Sequence, residues 1–445
     1  MTRLAIIGGG IMGSYIAKAL APKIEIVSIY DKKLASGMDF RKELEESLRG
    51  VPYEIACTPQ WAVKNADFVG FCVPTEVVYE VMLQTLPFCK KGAIIFGQTS
   101  RKTPEAEAFD RYVARNRNSG LELVTIHTPC NPSISDPRKT YLAVVRHNPQ
   151  NNPAYESKFG RALQFFEGMP DHFNIFESVE EHDVKFANTQ IVVSWLNSSI
   201  ASSIAETGHY PWINENYGSG FDVMKFSYAM RAARQKAELY RDMWIGSEHG
   251  KILVSQAVAV EEELYKMAVG NRRKEYRDRG LAAKKSLFGE KKLEPILSEE
   301  SVKVFLRNSK IRPNSHFPQY LWAVASADRG VDLFADLKAT TPNHTSMLCL
   351  VDYLFNAEGV LEEAMAAPFE DPGIRADDLV FHDQLHGWAN PILFNNRAMY
   401  DSKHARMRGK LDDRVIQEGV EISKKAEPIF SESMKKAIDS GRFKR

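Results

Sequence analysis

The sequence predicts an α/β domain with a doubly wound, mostly parallel sheet, followed by an all-α helical domain. Up to about residue 177, short β-rich apolar runs alternate with helical stretches, which is typical of βαβ units. From residue 180 onward, helical spacing of apolar residues takes over. One apolar stripe of this kind is formed by Leu253, Ala257, Val260, Leu264 and Met267. The change of pattern indicates two differently built parts.

Each predicted strand is a short run of apolar residues bounded by turn or polar signals. The runs cover residues 4–7, 24–30, 53–56, 68–73, 93–96, 121–126 and 141–145. Ligands of parallel sheets collect at the carboxyl ends of the strands, so we expect the functional residues there. The later chain predicts further helices, among them residues 346–355 and 358–365, and a basic stretch over residues 272–292 that we interpret as solvated.

A glycine-rich turn follows the first predicted strand. Residues 8–13 satisfy G-x-G-x-x-G and open a predicted helix over residues 11–20. Gly8 permits the tight turn, Gly10 lets the backbone approach a pyrophosphate, and Gly13 lets the helix pack on the strand. The helix N-terminus would then receive the phosphates of a dinucleotide, as in a Rossmann domain. The candidate cofactor-binding residues in this turn are Gly8, Gly10, Ile11, Met12 and Gly13.

The choice between NAD and NADP stays open on the residues alone. Asp31 ends the second predicted strand and could accept hydrogen bonds from a ribose 2′-hydroxyl, which favours NAD. Lys32 and Lys33 favour NADP, because a lysine can pair with a 2′-phosphate while Asp31 turns aside. Val73 and Pro74, at the end of the fourth predicted strand, are further candidate contacts to the cofactor.

Composition excludes several classes of protein. The chain has 445 residues, 44% of them hydrophobic and 26% charged, so two or three globular domains are expected. Lys plus Arg (58) nearly cancels Asp plus Glu (57), which leaves no overall field for binding nucleic acid or an anionic membrane. No apolar run reaches the roughly 18 residues of a membrane helix. The apolar N-terminal run looks like a signal peptide, but cleavage would remove the glycine-rich turn, so we expect it to stay.

The five cysteines are odd in number and lie mostly in or beside apolar stretches. We interpret them as small buried thiols in a reducing compartment and not as a disulfide framework. The sequence therefore predicts a cytoplasmic protein.

Further motifs together carry a family resemblance. They are residues 97–102 (GQTSRK), 125–127 (TIH), 180–183 (EEHD), 210–212 (YPW), 228–233 (YAMRAA), 313–316 (PNSH) and 341–342 (TP). In their order and spacing the chain resembles prephenate dehydrogenases, most closely the fungal, NADP-using type. The resemblance spans both parts of the chain and much of its C-terminal extension.

The resemblance implies an oxidative decarboxylation. Prephenate would give a hydride to NADP, lose its ring carboxylate and become 4-hydroxyphenylpyruvate, on the way to tyrosine. It also implies a Rossmann domain followed by a helical domain through which two subunits form a homodimer. We expect the Rossmann domain over residues 1–177, a helical substrate and dimerisation domain over residues 178–311, and a C-terminal helical extension over residues 312–445 that packs on the helical domain.

Two residues at the predicted sheet edge are candidates for catalysis. His127 follows the sixth predicted strand, where a neutral imidazole could accept the proton of the substrate hydroxyl as the hydride leaves. The matching family histidine has that role. The resemblance also implies that Ser100 orients this histidine and contacts the cofactor, although Ser100 could instead be a helix N-cap. No metal site is predicted, because His127 and Cys130 have no further suitable ligands nearby in the sequence.

Prephenate is a dianion, so its site needs fixed positive charge. Arg231 aligns with the family arginine that grips a carboxylate, which a guanidinium does with two parallel hydrogen bonds. Lys102 is a second candidate for an anion, or else a solvated lysine. Gln190 matches the fungal type, but Ser194 stands where many relatives carry histidine, which leaves arogenate open as the substrate. Residues 180–183 are interpreted as the start of a long helix with a structural role.

Two other classes of protein are kept as alternatives. A dehydrogenase of 3-hydroxy acids would use a catalytic lysine, and Lys185 is suitably placed, but Thr189 stands where that class has an asparagine. A non-enzymatic dinucleotide-sensing protein would need none of His127, Ser100 and Arg231. The presence of all three speaks against it.

Overall fold

The computed structural model describes residues 2–35, 38–130, 132, 136–213, 219–305 and 313–443. The chain folds as two compact units, Met1–Phe186 and Ala187–Arg445. The first is α/β and the second is helical, which confirms the predicted fold class. The first unit extends beyond residue 177 because the helix at Val179–Phe186 packs on the last two strands. The expected boundary between residues 311 and 312 lies outside the described residues.

The first unit is built on one eight-stranded sheet. Its strands are β1 (Thr2–Ile7), β2 (Ile24–Tyr30), β3 (Tyr53–Ile55), β4 (Phe68–Phe71), β5 (Ile94–Gly97), β6 (Glu122–His127), β7 (Tyr141–His147) and β8 (His172–Phe176). They lie in the order β3-β2-β1-β4-β5-β6-β7-β8, and every neighbouring pair is parallel except β6 and β7. The edge strand β8 was not predicted, because most of its residues are only partly buried and give a weak apolar signal.

Helices cover both faces of this sheet. They are α1 (Ile11–Leu20), α2 (Met38–Ser47), α3 (Pro59–Val63), α4 (Thr75–Thr85), α5 (Thr103–Arg115), α6 (Tyr155–Phe166) and α7 (Val179–Phe186). Along β1, Leu4 and Ile6 enter one apolar core, whereas Ala5 and Ile7 enter the other. Successive side chains of a strand point to opposite faces, so a sheet covered on both sides needs a continuous apolar run. This explains why the central strands could be predicted.

The second unit begins with a π-helix at Ala187–Ile191. Its helices are α8 (Val192–Thr207), α9 (Gly220–Arg234), α10 (Ala237–Trp244), α11 (Glu248–Val269), α12 (Arg273–Phe288), α13 (Glu299–Lys303), α14 (Phe317–Asp328), α15 (Pro342–Asn356), α16 (Val360–Glu370), α17 (Pro372–Leu393), α18 (Arg397–Lys410) and α19 (Asp413–Asp439). The late helices α17 and α19 pack on the early helices α8 and α9. The region after residue 312 therefore shares a core with the helices that precede it.

Two sequence expectations concern the environment of the chain. None of the described helices has the length and apolar character needed to cross a membrane. All five cysteines are free thiols, but only Cys349 is fully buried and Cys57 is exposed. The expectation of uniformly buried thiols was therefore wrong, because Cys57 follows β3 in a connection on the surface.

Candidate active site

The glycine-rich turn has the geometry that its pattern predicts. Gly8 has φ +105°, and a Cβ atom there would lie 2.3 Å from the carbonyl oxygen of Cys72. A Cβ atom on Gly13 would lie 2.0 Å from the carbonyl oxygen of Gly8, so the helix packs on the turn only with glycine at this position. Gly10, by contrast, faces open space, with no atom within 4 Å of a built Cβ. The turn thus leaves room in front of the N-terminus of α1.

The turn lies where the order of the strands reverses. From β1 the chain proceeds to β2 on one side and later to β4 on the other, and ligands bind at such a switch point. Ile11 and Met12 begin α1, and no acidic residue lies in its first turn. Val73 and Pro74 follow β4 next to Gly8. The predicted cofactor residues of β1 and β4 are therefore neighbours in the structure.

Asp31 turns its carboxylate toward the glycine-rich turn. Oδ2 accepts a hydrogen bond from the backbone N–H of Gly9 at 2.9 Å, and Oδ1 accepts one from the backbone N–H of Lys33 at 2.9 Å. Lys32 and Lys33 are exposed, and the Lys33 ammonium lies 5.7 Å from the ring centroid of Phe40. Both acid oxygens are thus occupied by backbone donors, while Lys32 faces solvent.

His127 lies at the end of β6 and is only 6% exposed. Burial, reinforced by His182 and by the charge of Lys102, holds the pKa of His127 well below its usual range, so the ring is neutral at pH 7. Its Nδ1 lies 3.3 Å from Nε2 of His182 on α7. The neutral state is the one that a proton acceptor requires.

Asp183 decides where the protons of the two imidazoles lie. Burial alone would raise its pKa, but the hydrogen bond from His182 and those from Lys102 and Thr103 hold the pKa of Asp183 below its usual value. Its Oδ1 is 2.9 Å from Nδ1 of His182, so His182 carries its proton on Nδ1 and offers Nε2 as an acceptor. His127 therefore donates from Nδ1, which leaves its Nε2 free of a proton. We assign these tautomers from the hydrogen-bond network.

Lys102 is completely buried, with 0% exposure. Its ammonium lies 3.2 Å from Oε1 of Glu105, a carboxylate that also accepts hydrogen bonds from Thr99 and Thr125. Burial lowers the pKa of Lys102, and the nearby charge of Glu105 opposes this shift. The interpretation of Lys102 as a solvated lysine was wrong. Its role toward a substrate anion stays a prediction.

Ser100 lies in the connection from β5 to α5, at the same sheet edge as His127. Helix α5 begins at Thr103, and Lys102 occupies its N-cap position. The backbone N–H groups of Lys102 and Thr103 donate to Asp183 at 2.8 and 2.9 Å. The N-cap interpretation of Ser100 was therefore wrong, and its support of His127 stays a prediction.

Arg231 and Gln190 belong to the helical unit. Arg231 is buried on α9, where its Nε donates to Ser423 Oγ at 2.6 Å and its Nη2 to Glu427 Oε2 at 2.5 Å. Gln190 lies in the π-helix, and its carbonyl accepts a hydrogen bond from Ser194 Oγ at 2.6 Å. Ser194 Oγ also accepts one from Trp244 Nε1 at 2.8 Å, so the small serine serves helix packing. The roles of Arg231 and Gln190 toward substrate stay predictions.

The sequence interpretation missed the contact of His182 and Asp183 with His127. Residues 180–183 were assigned a structural role at the start of a helix, and the structure adds two groups that face the candidate base. An adjacent histidine and aspartate were the only available signal. The partners are 55 residues apart, so the fold is needed to bring them together.

A neutral imidazole and a phosphate-receiving turn on one edge of a parallel sheet are the equipment of a dinucleotide-dependent dehydrogenase. Residues 3–124 match the NAD binding domain of 6-phosphogluconate dehydrogenase. Residues 192–427, more than half of the chain, match a family model of the 6-phosphogluconate dehydrogenase C-terminal domain. The chain belongs to this family of oxidoreductases, which is defined by its C-terminal domain.

Individual relatives confirm the resemblance noted from the motifs. The chain is 25% identical over 409 residues to the prephenate dehydrogenase [NADP(+)] of Saccharomyces cerevisiae, covering 89% of this chain and 87% of the relative. It is 22% identical over 414 residues to a probable prephenate dehydrogenase [NADP(+)] of Schizosaccharomyces pombe, covering 90% and 91%. A solved prephenate dehydrogenase of A. aeolicus aligns with TM-score 0.47 and 15% identity, over 62% of this chain and 93% of that one.

Proposed function

We propose that this protein is a prephenate dehydrogenase that uses NADP. The observation that carries the proposal is the unprotonated Nε2 of His127, at the carboxyl edge of the sheet that bears the dinucleotide turn. The relatives in two yeasts, which cover most of the chain, support the choice of substrate and cofactor.

In this reaction bound NADP supplies the hydride acceptor. As the hydride leaves the ring carbon of prephenate, His127 Nε2 takes the proton of the hydroxyl on that carbon, so the new carbonyl carries no full positive charge. The ring carboxylate then leaves as CO₂, and its bonding electrons make the ring aromatic. His127 returns its proton to the carbonyl oxygen, which becomes the phenol of 4-hydroxyphenylpyruvate.

The proton that His127 gains needs stabilisation while it is held. His182 accepts a hydrogen bond from Nδ1 of His127, and Asp183 supplies a negative charge behind His182. This arrangement lets the positive charge spread over two imidazoles against one carboxylate. Water is largely excluded, because both rings are buried.

The end of β2 supports NADP over NAD. The carboxylate of Asp31 is occupied by the N–H groups of Gly9 and Lys33, so it is turned away from the position of a ribose contact. Exposed Lys32 is available for a 2′-phosphate. NAD remains the alternative cofactor.

The remaining candidate residues have defined parts in the proposal. Ser100 orients His127 and contacts the cofactor, and Arg231 anchors a carboxylate of the substrate with a guanidinium whose plane Ser423 and Glu427 fix. Lys102 and Gln190 are further substrate-binding candidates. We also propose a homodimer in the cytoplasm, with a dinucleotide-binding domain, a helical substrate and dimerisation domain, and a C-terminal extension.

Arogenate dehydrogenase activity is the nearest alternative and would use the same residues. A 3-hydroxy-acid dehydrogenase is less well supported, because Lys185 pairs with Glu181 at 2.8 Å and Thr189 donates to the carbonyl of Ala339. A dinucleotide-sensing protein would leave the arrangement of His127, His182 and Asp183 without a purpose.

The test measures the appearance of reduced nicotinamide by absorbance, with prephenate and arogenate each combined with NAD and NADP. We expect the highest kcat/KM with prephenate and NADP. His127→Asn should lower kcat by about 10² to 10⁴-fold while NADP binding is kept. His172→Asn, at an exposed histidine of the same unit, is the control. Tight NADP binding without reduction by either substrate would contradict the proposal and favour a sensor.

A further inference from the structure

We propose that the helical unit contains a binding site for a divalent transition-metal ion such as Zn²⁺. Its ligands are Glu261 on α11 and His382 and His386 on α17. None of these residues has a part in the proposed reaction, and they were not singled out from the sequence.

The three side chains converge from two packed helices. His382 and His386 are one turn apart, so their rings lie on the same face of α17. Nδ1 of His382 and Nε2 of His386 each lie 2.9 Å from Oε2 of Glu261. The potential ligand atoms, one from each residue, all lie within 4.8 Å of one another.

This set of ligands fits a transition metal. Two imidazoles and one carboxylate suit Zn²⁺ and related ions, whereas Mg²⁺ and Ca²⁺ prefer ligands that are all oxygen. With metal–ligand bonds of about 2.0–2.1 Å, neighbouring ligand atoms stand about 3.0–3.4 Å apart. The separations from Glu261 Oε2 are only slightly shorter, so small side-chain rotations would make room for the ion.

The surroundings both hold the ligands and admit an ion. Glu261 is fully buried, while the side chains of His382 and His386 are 23% and 27% exposed. Tyr265 stacks on His382 with ring centroids 4.2 Å apart, which fixes one imidazole. Glu262 lies close enough to act on both histidines electrostatically, and its negative charge favours a cation. An ion here would leave a position open to water and would tie α11 to α17.

The test uses the full-length chain, stripped of metal with a chelator that is then removed. Zn²⁺ alone is titrated into the protein in an isothermal calorimeter. We expect one Zn²⁺ per chain and a rise of the melting temperature in its presence, since an ion that binds only the folded state stabilises it. The double variant H382Q/H386Q should bind Zn²⁺ at least about 100-fold more weakly. H172Q, which removes an exposed histidine of the other unit, should bind like the wild type.

Absence of Zn²⁺ binding to the wild type overturns the inference, as does unchanged binding to the double variant. If the far-UV circular dichroism of the double variant is not native, the single variant H386Q replaces it, with an expected loss of at least about 10-fold in affinity. Unchanged affinity of H386Q would also overturn the inference. No substrate or NADP enters these measurements, so their outcome is independent of the proposed dehydrogenase activity.

Discussion

The imidazoles of His127 and His182 are in direct hydrogen-bond contact, with 3.3 Å between Nδ1 of the first and Nε2 of the second. Asp183, which accepts the proton of His182, fixes the direction of this bond. The logic is that of a carboxylate orienting a catalytic histidine, with a second imidazole placed between them. The free nitrogen of His127 is thereby determined by a residue that it does not touch.

Asp183→Asn should reverse this order of protons. An amide that donates to Nδ1 of His182 would shift the proton of His182 to Nε2, and His127 would then carry its own proton on Nε2, where it cannot act as a base. We expect kcat to fall by about 10² to 10⁴-fold, with little change in the affinity for NADP. Steady-state kinetics and a cofactor titration would measure both. Glu180→Gln, an exposed position on α7, is the control; equal losses in the two variants would contradict this assignment.

Lys32→Ala should weaken the binding of NADP selectively. A charged hydrogen bond to a phosphate contributes about 1.5–3 kcal/mol, so we expect roughly 10- to 100-fold weaker binding of NADP and unchanged binding of NAD. Fluorescence titration with both cofactors gives the two dissociation constants. Lys18→Ala, at an exposed lysine of α1, should alter neither. A similar loss for NAD and NADP would show that Lys32 does not read the 2′-phosphate.

Arg231→Ala should raise the KM for prephenate far more than it changes the affinity for NADP. Loss of a charged hydrogen-bonding partner costs about 2–5 kcal/mol, which corresponds to at least about 30-fold in KM. Glu427→Gln removes the ion-pair partner but leaves the guanidinium in place, so it separates substrate binding from helix packing. If both variants lose only thermal stability and KM stays constant, Arg231 is a packing residue.

His344 should make the stability of the protein depend on pH. Burial lowers its pKa to about 3. In the unfolded chain the pKa is about 6.5, so the unfolded state binds the proton first and stability falls as the pH drops from 6.5 toward 3. Between pH 7 and pH 5 this residue should cost about 2 kcal/mol of unfolding free energy.

His344→Leu removes this contribution to the pH dependence. Urea titrations at pH 7 and pH 5 should therefore show a smaller loss of unfolding free energy in the variant, by about 2 kcal/mol. The same substitution at exposed His172 should leave the difference between the two pH values as in the wild type. Identical pH dependence of wild type and His344→Leu would mean that His344 is protonated in the folded state.

Local rules were sufficient to predict part of this molecule. The roles of Gly8 and Gly13 follow from the turn itself, and β1 and β4 follow from apolar runs buried on both sides. The location of His127 at the end of β6 followed from the same reasoning.

The rest depends on contacts between distant segments. The burial of Lys102 could not be read from its type, because lysines are mostly exposed, and its partner Glu105 becomes evident only when α5 packs on the sheet. Arg231 meets Glu427 at a separation of 196 residues. The spacing of His382 and His386 was visible, but Glu261 lies 121 residues before His382, so no pattern in the sequence marks the set.

The carboxylate of Asp183 also holds the first amides of α5, through Lys102 and Thr103. One side chain thus fastens the start of a helix after β5 to a helix after β8. Inserting or deleting a residue in either connection would pull an amide off the carboxylate and disturb the tautomer of a ring on a third segment. Loop-length engineering at these two connections would therefore change proton transfer even if every residue of the site were kept.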